Sequence, residues 1–548
     1  MSSNRDKHQD AATLAQIEAA AAANEVPRAV ELARAALADG LVHPMLLNLR
    51  SYWWTQRGRQ DMALADLRLA VSIAPADLFV RNALGILLGR MEKWPEAFPI
   101  LEESVSIAPN SAMAHYSLGW AYEATGELER ARQQFENAVA LDPNFVKPLI
   151  HLSSLAHRRS DWKGSKEFAS RALALQPGEY VATTSLAVVA VAEGELDQAE
   201  ALLRPLLGRQ ADTPLDASMA RRTLGDLRHA QARYPQAFAA YSESNRLKYM
   251  YYAHRFETPG TTAADYCRWL TSQFENAGAE SGYRADKQNE PQAEEGSRGH
   301  AFLVGFPRSG TTLLENVLAS HPDITALDER DTLGDLTQQF LVNDAGLKKL
   351  ARLTPGEVRE LRAAYWARVR KFKPNIDGKF VVDKYPLTSI KLPIIAKLFP
   401  SAKILFAMRD PRDVVLSCFR RNFAMNTSMF EFLEIERAAR FYDAVMSLSA
   451  VYREKLGLDR LQVHNEALIE NFEQRAQAVC SFIGVEWNDQ MRDFAEHAKS
   501  RTIKTPSSVQ VVRGINSDSV GLWRHYQKEM APALPVLEPW VTTYGYGL

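Results

Sequence analysis

The sequence predicts a multidomain chain in which an all-α repeat superhelix precedes an α/β domain built on a parallel sheet. A fixed period supports the first part: Pro75, Pro109, Pro143 and Pro177 stand 34 residues apart. Beyond residue 300, short apolar runs alternate with stretches of helical periodicity, the order expected of parallel strands joined by crossover helices. Residues 248–299, between them, keep neither pattern. At 548 residues the chain also exceeds what one hydrophobic core organises.

The small residues Ala29, Ala63, Ala97, Ala131, Ser165 and Ala199 hold the same 34-residue interval, and Ala237 follows after 38. The unit at 112–145, AMAHYSLGWAYEATGELERARQQFENAVALDPNF, shows the pattern best, with Leu118, Gly119, Tyr122, Ala131, Phe135, Ala138 and Pro143. Small residues let two helices approach closely, larger apolar ones fill the gaps between units, and the proline stops the second helix. The pattern resembles the tetratricopeptide repeat, a helix–turn–helix unit of 34 residues. It covers residues 10–247, about seven units, after an N-terminus expected to be disordered at 1–9. Stacked units of this kind form a superhelix whose concave face is a binding surface. Aligned on the repeat, Asn48 and Asn82 occupy equivalent places, and with Phe79, Tyr116 and Trp120 they are candidates for lining that groove. Packing between repeats is the competing use of the aromatic rings.

Residues 248–299 read as a connecting helix followed by a polar linker, GAESGYRADKQNEPQAEEGSRG. The second domain, 300–548, offers buried strands at 301–306, 379–383, 402–408 and 461–465. In parallel α/β sheets ligands sit at the carboxyl ends of strands, and polar clusters fall there. The first is FPRSGTT, where Arg308, Ser309, Gly310, Thr311 and Thr312 lead from a strand into a helix whose backbone N–H groups suit an anion. Gly305 and Gly310 have the spacing of a nucleotide P-loop, but Thr311 stands where that loop carries its lysine. This argues against a magnesium nucleoside triphosphate. The second cluster is RDPRDVVLS, with Arg409 and, eight residues on, Ser417. Asp410 and Pro411 also read as the cap and first residue of a helix there. The third is Lys384, at a strand end in DKYPLT.

FPRSGTTLLENVLASHP resembles the 5′-phosphosulfate loop of sulfotransferases, and RDPRDVVLS resembles their 3′-phosphate motif. The resemblance spans about 300–548 and is nearest to the tyrosylprotein type and to repeat-fused members like it. It implies the co-substrate 3′-phosphoadenosine 5′-phosphosulfate (PAPS) and no metal. Carried over residue by residue, it implies that Arg308, Ser309, Gly310, Thr311 and Thr312 hold the 5′ end, with Arg308 also catalytic. Arg409 and Ser417 would hold the 3′-phosphate, and Lys384 the leaving and transferring oxygens. Glu329, in DERDTL, takes the place of the general base, with Asp328 and His321 as alternatives and Arg330 as a partner for the acceptor or for Glu329. A carboxylate whose ordinary pKa is about 4.3 suits that task only when close to the acceptor or partly desolvated. SVQVVRGINSDSVGLWRHY, at 508–526, resembles the segment that closes over the nucleotide, which makes Ser507, Arg513 and Arg524 candidates for contact. One departure stands out: HNEALIENF places Asn465 and Glu466 where the family has a tyrosine before glutamate.

Sixty-five basic against sixty-six acidic side chains leave a formal net charge of −1, which weakens a general nucleic-acid or membrane-surface partner. Three cysteines without metal spacing fit a reducing compartment. The N-terminal stretch lacks a signal-peptide core, and no run of about 18 apolar residues marks a membrane span, so a cytoplasmic protein is expected. The expected reaction is PAPS-dependent transfer to an acceptor hydroxyl, a peptidyl tyrosine first, with an acceptor peptide or protein recruited by the repeat groove. A saccharide or small-alcohol acceptor, or a scaffold with an idle nucleotide-binding domain, are the open alternatives, and the oligomeric state is undetermined.

Overall fold

The repeats are organised around positions where no side chain fits. A Cβ on Gly85 would lie 2.5 Å from Leu101 Cδ2, one on Gly119 2.9 Å from Phe135, and one on Gly225 2.5 Å from Tyr241. The partner helix therefore packs directly on backbone at these crossings. Ala29, Ala63, Ala97, Ala131, Ala199 and Ala237 are fully buried, as the periodic reading expects of residues at helix crossings. The computed structural model describes residues 7–276 other than 24, 160, 259 and 261, residues 282–285 and 287, residues 296–499 and residues 514–547. The first helix, Lys7–Ala22, begins inside the stretch expected to be disordered. Residues 1–6 lie outside the described residues.

Helix pairs such as Leu78–Arg90 with Trp94–Ile107, and Ala112–Ala124 with Leu128–Leu141, recur to the last pair, Pro214–Ala230 with Tyr234–Phe256. The chain divides into two compact units, 1–189 and 190–548. Helices Leu196–Leu207, Pro214–Ala230 and Tyr234–Phe256 thus share a unit with the α/β layers, whereas the sequence reading ended the repeats as a domain at 247. Within the first unit, Tyr116 packs on Phe145 with ring centroids 5.1 Å apart, and Trp120 lies 6.0 Å from Trp94. These two rings are inter-repeat core, the competing use. Asn82 is buried as well, while Phe79 stays 73% exposed.

In the second unit five parallel strands form one sheet in the order β2-β3-β1-β4-β5. They are β1 (Gly299–Gly305), β2 (Ile324–Ala326), β3 (Phe380–Lys384), β4 (Lys403–Met408) and β5 (Arg460–His464). Four match the expected strands; β2 was not expected, because three residues show no period. Alternate side chains enter opposite cores. Phe302, Val304, Ile404 and Phe406 join the helices Pro355–Phe372, Leu392–Leu398 and Ile435–Lys455. Ala301, Leu303, Val382 and Leu405 face Thr311–Ala319 and Phe472–Ile483. Helices cover both faces, so the strands read as continuous apolar runs. The central strand β1 has β3 on one side and β4 on the other, which brings the ends of all three together. Among the described residues no helix is long and apolar enough to cross a membrane.

Candidate active site

β1 ends at Gly305, which lies so close to β4 that a Cβ there would come 2.6 Å from the Ala407 carbonyl oxygen. The chain turns through Arg308, whose backbone is left-handed at φ 71°, and Gly310, at φ 95°, into the helix Thr311–Ala319. A Cβ on Gly310 would collide with the Asn465 side chain at the tip of β5. No side chain caps this helix, so its N-terminal N–H groups have the arrangement that binds anions. A non-glycine residue in the left-handed region is strained and tends to mark a working site. Glu329, at φ 45°, is another such residue, in the turn after β2.

The Arg308 guanidinium is buried, and its Nε donates to Ser417 Oγ at 2.9 Å, across 109 residues of sequence. Arg409 leaves the end of β4 and donates from Nη1 to the Arg308 carbonyl at 3.3 Å and from Nη2 to the Ser519 carbonyl. Asp413 lies 3.8 Å from it. The two arginines therefore meet. Arg308, Gly310, Thr312, Leu313, Arg409 and Asn465 line one narrow cleft, open to solvent and completed by Ile469, Gly514, Asn516 and Ser519. Burial pushes the Arg308 guanidinium down to about 9, helped by the nearby charges of Arg421 and Arg409. An anion in the cleft would reverse that pressure.

Lys384, at the end of β3, is fully buried and does not line the cleft; its Nζ lies 2.9 Å from Glu315 and 2.7 Å from Glu329. Burial is the largest influence on its ammonium and lowers its pKa, but the two carboxylates together outweigh it and leave the pKa raised. Arg308 is close enough to Glu329 to feel its charge. On the opposite face of β3, Asp383 accepts from Thr332 Oγ1 at 2.5 Å and from the Tyr365 hydroxyl at 2.8 Å. Burial raises the Asp383 carboxyl to about 6.

The helix Pro411–Arg420 opens as expected, with Asp410 capping the Arg412 N–H at 2.9 Å and Pro411 at its start. Its far end is held by the last repeat pair. Asn245 Nδ2 donates to the Phe419 carbonyl at 2.9 Å, Arg222 donates to the Arg420 carbonyl and to Asn245, and Phe238 stacks on Phe419 at 4.9 Å. Asp413 in turn takes the Gly521 N–H at 2.6 Å and the Trp523 N–H at 2.9 Å, which fastens the C-terminal segment. The helix that presents Ser417 is thus gripped from both sides.

Sequence reasoning did not place every side chain here. His321 is spent on structure: Nε2 bonds the Glu486 carbonyl at 2.9 Å and Nδ1 accepts the Asp323 N–H at 3.0 Å, so neither nitrogen is available as a base. Asp328 pairs with Lys373 at 3.3 Å, and the Arg330 guanidinium lies 5.1 Å over the Phe372 ring. Arg524 is exposed, its guanidinium 5.3 Å from the Trp523 ring, and does not line the cleft; Gly514, Asn516 and Ser519 do. Ser507 and Arg513 lie outside the described residues. Ser309 and Thr311 are buried in the loop, and neither lines the cleft. Glu315 joins the site unexpected, although an acidic residue inside the apolar run LLENVL is a usable signal of a buried charge. Asn465, a departure from the family pattern in the sequence, is the side chain packed on Gly310.

Residues 301–489 match a family model described as Sulfotransferase family, and residues 77–144 and 184–246 match models described as Tetratricopeptide repeat. An "Uncharacterized protein" of Aquifex aeolicus (strain VF5) is 22% identical over 463 residues, covering 82% of this chain and 55% of that one. The "Protein-tyrosine sulfotransferase" of Drosophila melanogaster is 24% identical over 273 residues, 45% of this chain and 53% of that one. The chain therefore spans about half the length of these two relatives. Among solved structures, the "Sulfotransferase Domain from the Synechococcus PCC 7002 Olefin Synthase" is 20% identical, with a TM-score of 0.33, over 47% of this chain and 98% of that one. The chain joins tetratricopeptide repeats to a domain of the sulfotransferase family.

Proposed function

We propose that the chain is a sulfotransferase that draws on 3′-phosphoadenosine 5′-phosphosulfate and sulfates an acceptor hydroxyl, a peptidyl tyrosine being the first acceptor to test. The observation that carries this reading is the meeting of Arg308 and Arg409 in one cleft, at the tips of neighbouring strands. Those residues suit a ligand with two separated anionic ends. Arg409 Nε is buried with no hydrogen-bond partner among the described residues.

PAPS supplies an activated sulfuryl group whose bond to the 5′-phosphate oxygen breaks as the acceptor oxygen bonds to sulfur, the electron pair remaining on the phosphate. Arg308, Thr312 and the uncapped helix N-terminus would bind the 5′ end, and Arg409 with Ser417 the 3′-phosphate. Lys384 would donate a hydrogen bond to the oxygen on which charge grows, a contribution that pre-organised donors supply at little reorganisation cost. Glu329, on the lysine and 28% exposed, would accept the acceptor's proton and pass it to water. The Drosophila relative's printed name supports a tyrosine acceptor, and the repeats at 10–247 supply a surface for the protein that carries it.

Calorimetric titration with 3′,5′-adenosine bisphosphate and with ATP, both without metal, tests the co-substrate. Tight binding of the first alone is expected, and preference for ATP would refute the reading. Transfer from labelled PAPS to a tyrosine peptide against a saccharide then separates the acceptor classes.

A further inference from the structure

The two carboxylates on Lys384 are not equivalent. Glu315 sits on the helix Thr311–Ala319, is 3% exposed, and is flanked by the buried Leu314 and Asn316. Glu329 lies in a turn with a left-handed backbone and reaches solvent. One carboxylate is enough to neutralise one ammonium, and burying a second is costly unless it has a task. The Glu315 carboxylate is shut away from solvent, whereas that of Glu329 is open to it.

We infer that Glu315 is a positioning residue, the standing counter-ion that keeps Lys384 charged and in place when Glu329 leaves the lysine for the acceptor hydroxyl. This rests on the roles proposed above for Lys384 and Glu329. Among the described residues, the charged groups within ion-pair distance of Lys384 are Glu315 from the helix and Glu329 from the turn. Arg308 and Tyr385 adjoin Glu329, and Asp331, 2.7 Å from Lys391, adjoins Tyr385. Asp383 points into the other core, where Thr332 and Tyr365 hold it. Glu315 is therefore the charge that stays with the lysine in both positions of Glu329.

The test uses the full chain with Glu315→Gln and Glu315→Asp. With both carboxylates in place the lysine's folded pKa lies above its unfolded value, so its stabilisation persists through neutral pH and fades only as pH rises through the folded value. In Glu315→Gln only the partly exposed Glu329 still opposes burial, so the folded pKa drops, and the cost of the buried ammonium is relieved as pH rises. The Tm deficit of Glu315→Gln is therefore expected to be widest at pH 7 and to narrow by at least half toward pH 10. Glu315→Asp should keep a constant, smaller deficit. A Glu315→Gln deficit unchanged from pH 7 to 10 would overturn the inference.

In turnover, the alkaline limb of kcat should move down by about one pH unit or more in Glu315→Gln. Affinity for 3′,5′-adenosine bisphosphate should stay within about threefold. An unmoved limb would overturn the role. If wild type binds no bisphosphate, the co-substrate reading fails, while the Tm comparison still decides Glu315. Should Glu315→Gln not fold, adding Lys384→Met removes both buried charges and must restore folding; continued misfolding would show that shape, not charge, is the role of Glu315.

Discussion

Replacing Arg409 by alanine separates recognition of a 3′-phosphate from general damage to the cleft. The side chain is 5% exposed, so its interaction with a ligand phosphate is little screened by salt. A hydrogen bond to a charged group contributes about 1.5–3 kcal/mol, which corresponds to about 10- to 150-fold in Kd. Arg409→Ala also loses the bonds to the Arg308 and Ser519 carbonyls, so a lower Tm is expected. Asp413 keeps the Gly521 and Trp523 N–H groups and is not stranded. Calorimetry with 3′,5′-adenosine bisphosphate and with 5′-AMP, on wild type and variant, distinguishes the two effects. The bisphosphate should weaken by the full factor while 5′-AMP changes by less than about threefold, since it lacks the group that Arg409 holds. Equal weakening of both ligands would show that Arg409 acts on the fold alone, and the 3′-phosphate assignment would fail.

Lys384→Ala should lower kcat by about a hundredfold or more while bisphosphate binding holds; because it leaves two carboxylates facing each other, a stability loss of about 3–5 kcal/mol should appear in denaturant titration. Glu329→Gln should cost about a hundredfold in kcat, measured with labelled donor, with little change in Tm, because its side chain is partly in solvent. A fragment limited to 300–548 should aggregate on size-exclusion chromatography, whereas 190–548 stays monodisperse, since removing the last repeat pair uncovers Leu416, Phe419, Trp523 and Tyr526. Asp383, with its folded pKa raised from an ordinary value near 4 to about 6, adds stability below pH 4 that is lost as pH rises through 6. The unfolding free energy of wild type relative to Asp383→Asn, read from denaturant titration, should accordingly fall by about 3 kcal/mol between pH 4 and 7, and a constant difference would refute the shift.

The repeats were legible because their signal is local. A small residue every 34 positions reports the same helix crossing each time, and Gly85, Gly119 and Gly225 lie against a partner side chain where the pattern requires closeness. Strands β1, β3, β4 and β5 were legible because burial on both faces writes an unbroken apolar run. The loop from Arg308 to Thr312 was legible as a motif. His321 was misjudged because a lone histidine after a helix looks the same whether its nitrogens bond backbone or wait for a substrate. Arg524 was misjudged because its placement depends on Trp523, which Arg412 and Asp413 hold from another helix.

What the amino-acid order determined alone was periodic: helices, strands, the strand-to-helix turn, and which residue types stand at strand tips. Tertiary structure decided who meets whom. Leu303 lies beside Lys384 and Gly305 beside Ala407, and that register brings Arg308 to Ser417 and sets Glu315 and Glu329 on one ammonium. Backbone geometry repeats every few residues and leaves its mark along the chain. A buried charge finds its partner only after sheet order and helix packing have closed the distance, so that pairing is written nowhere in a single segment.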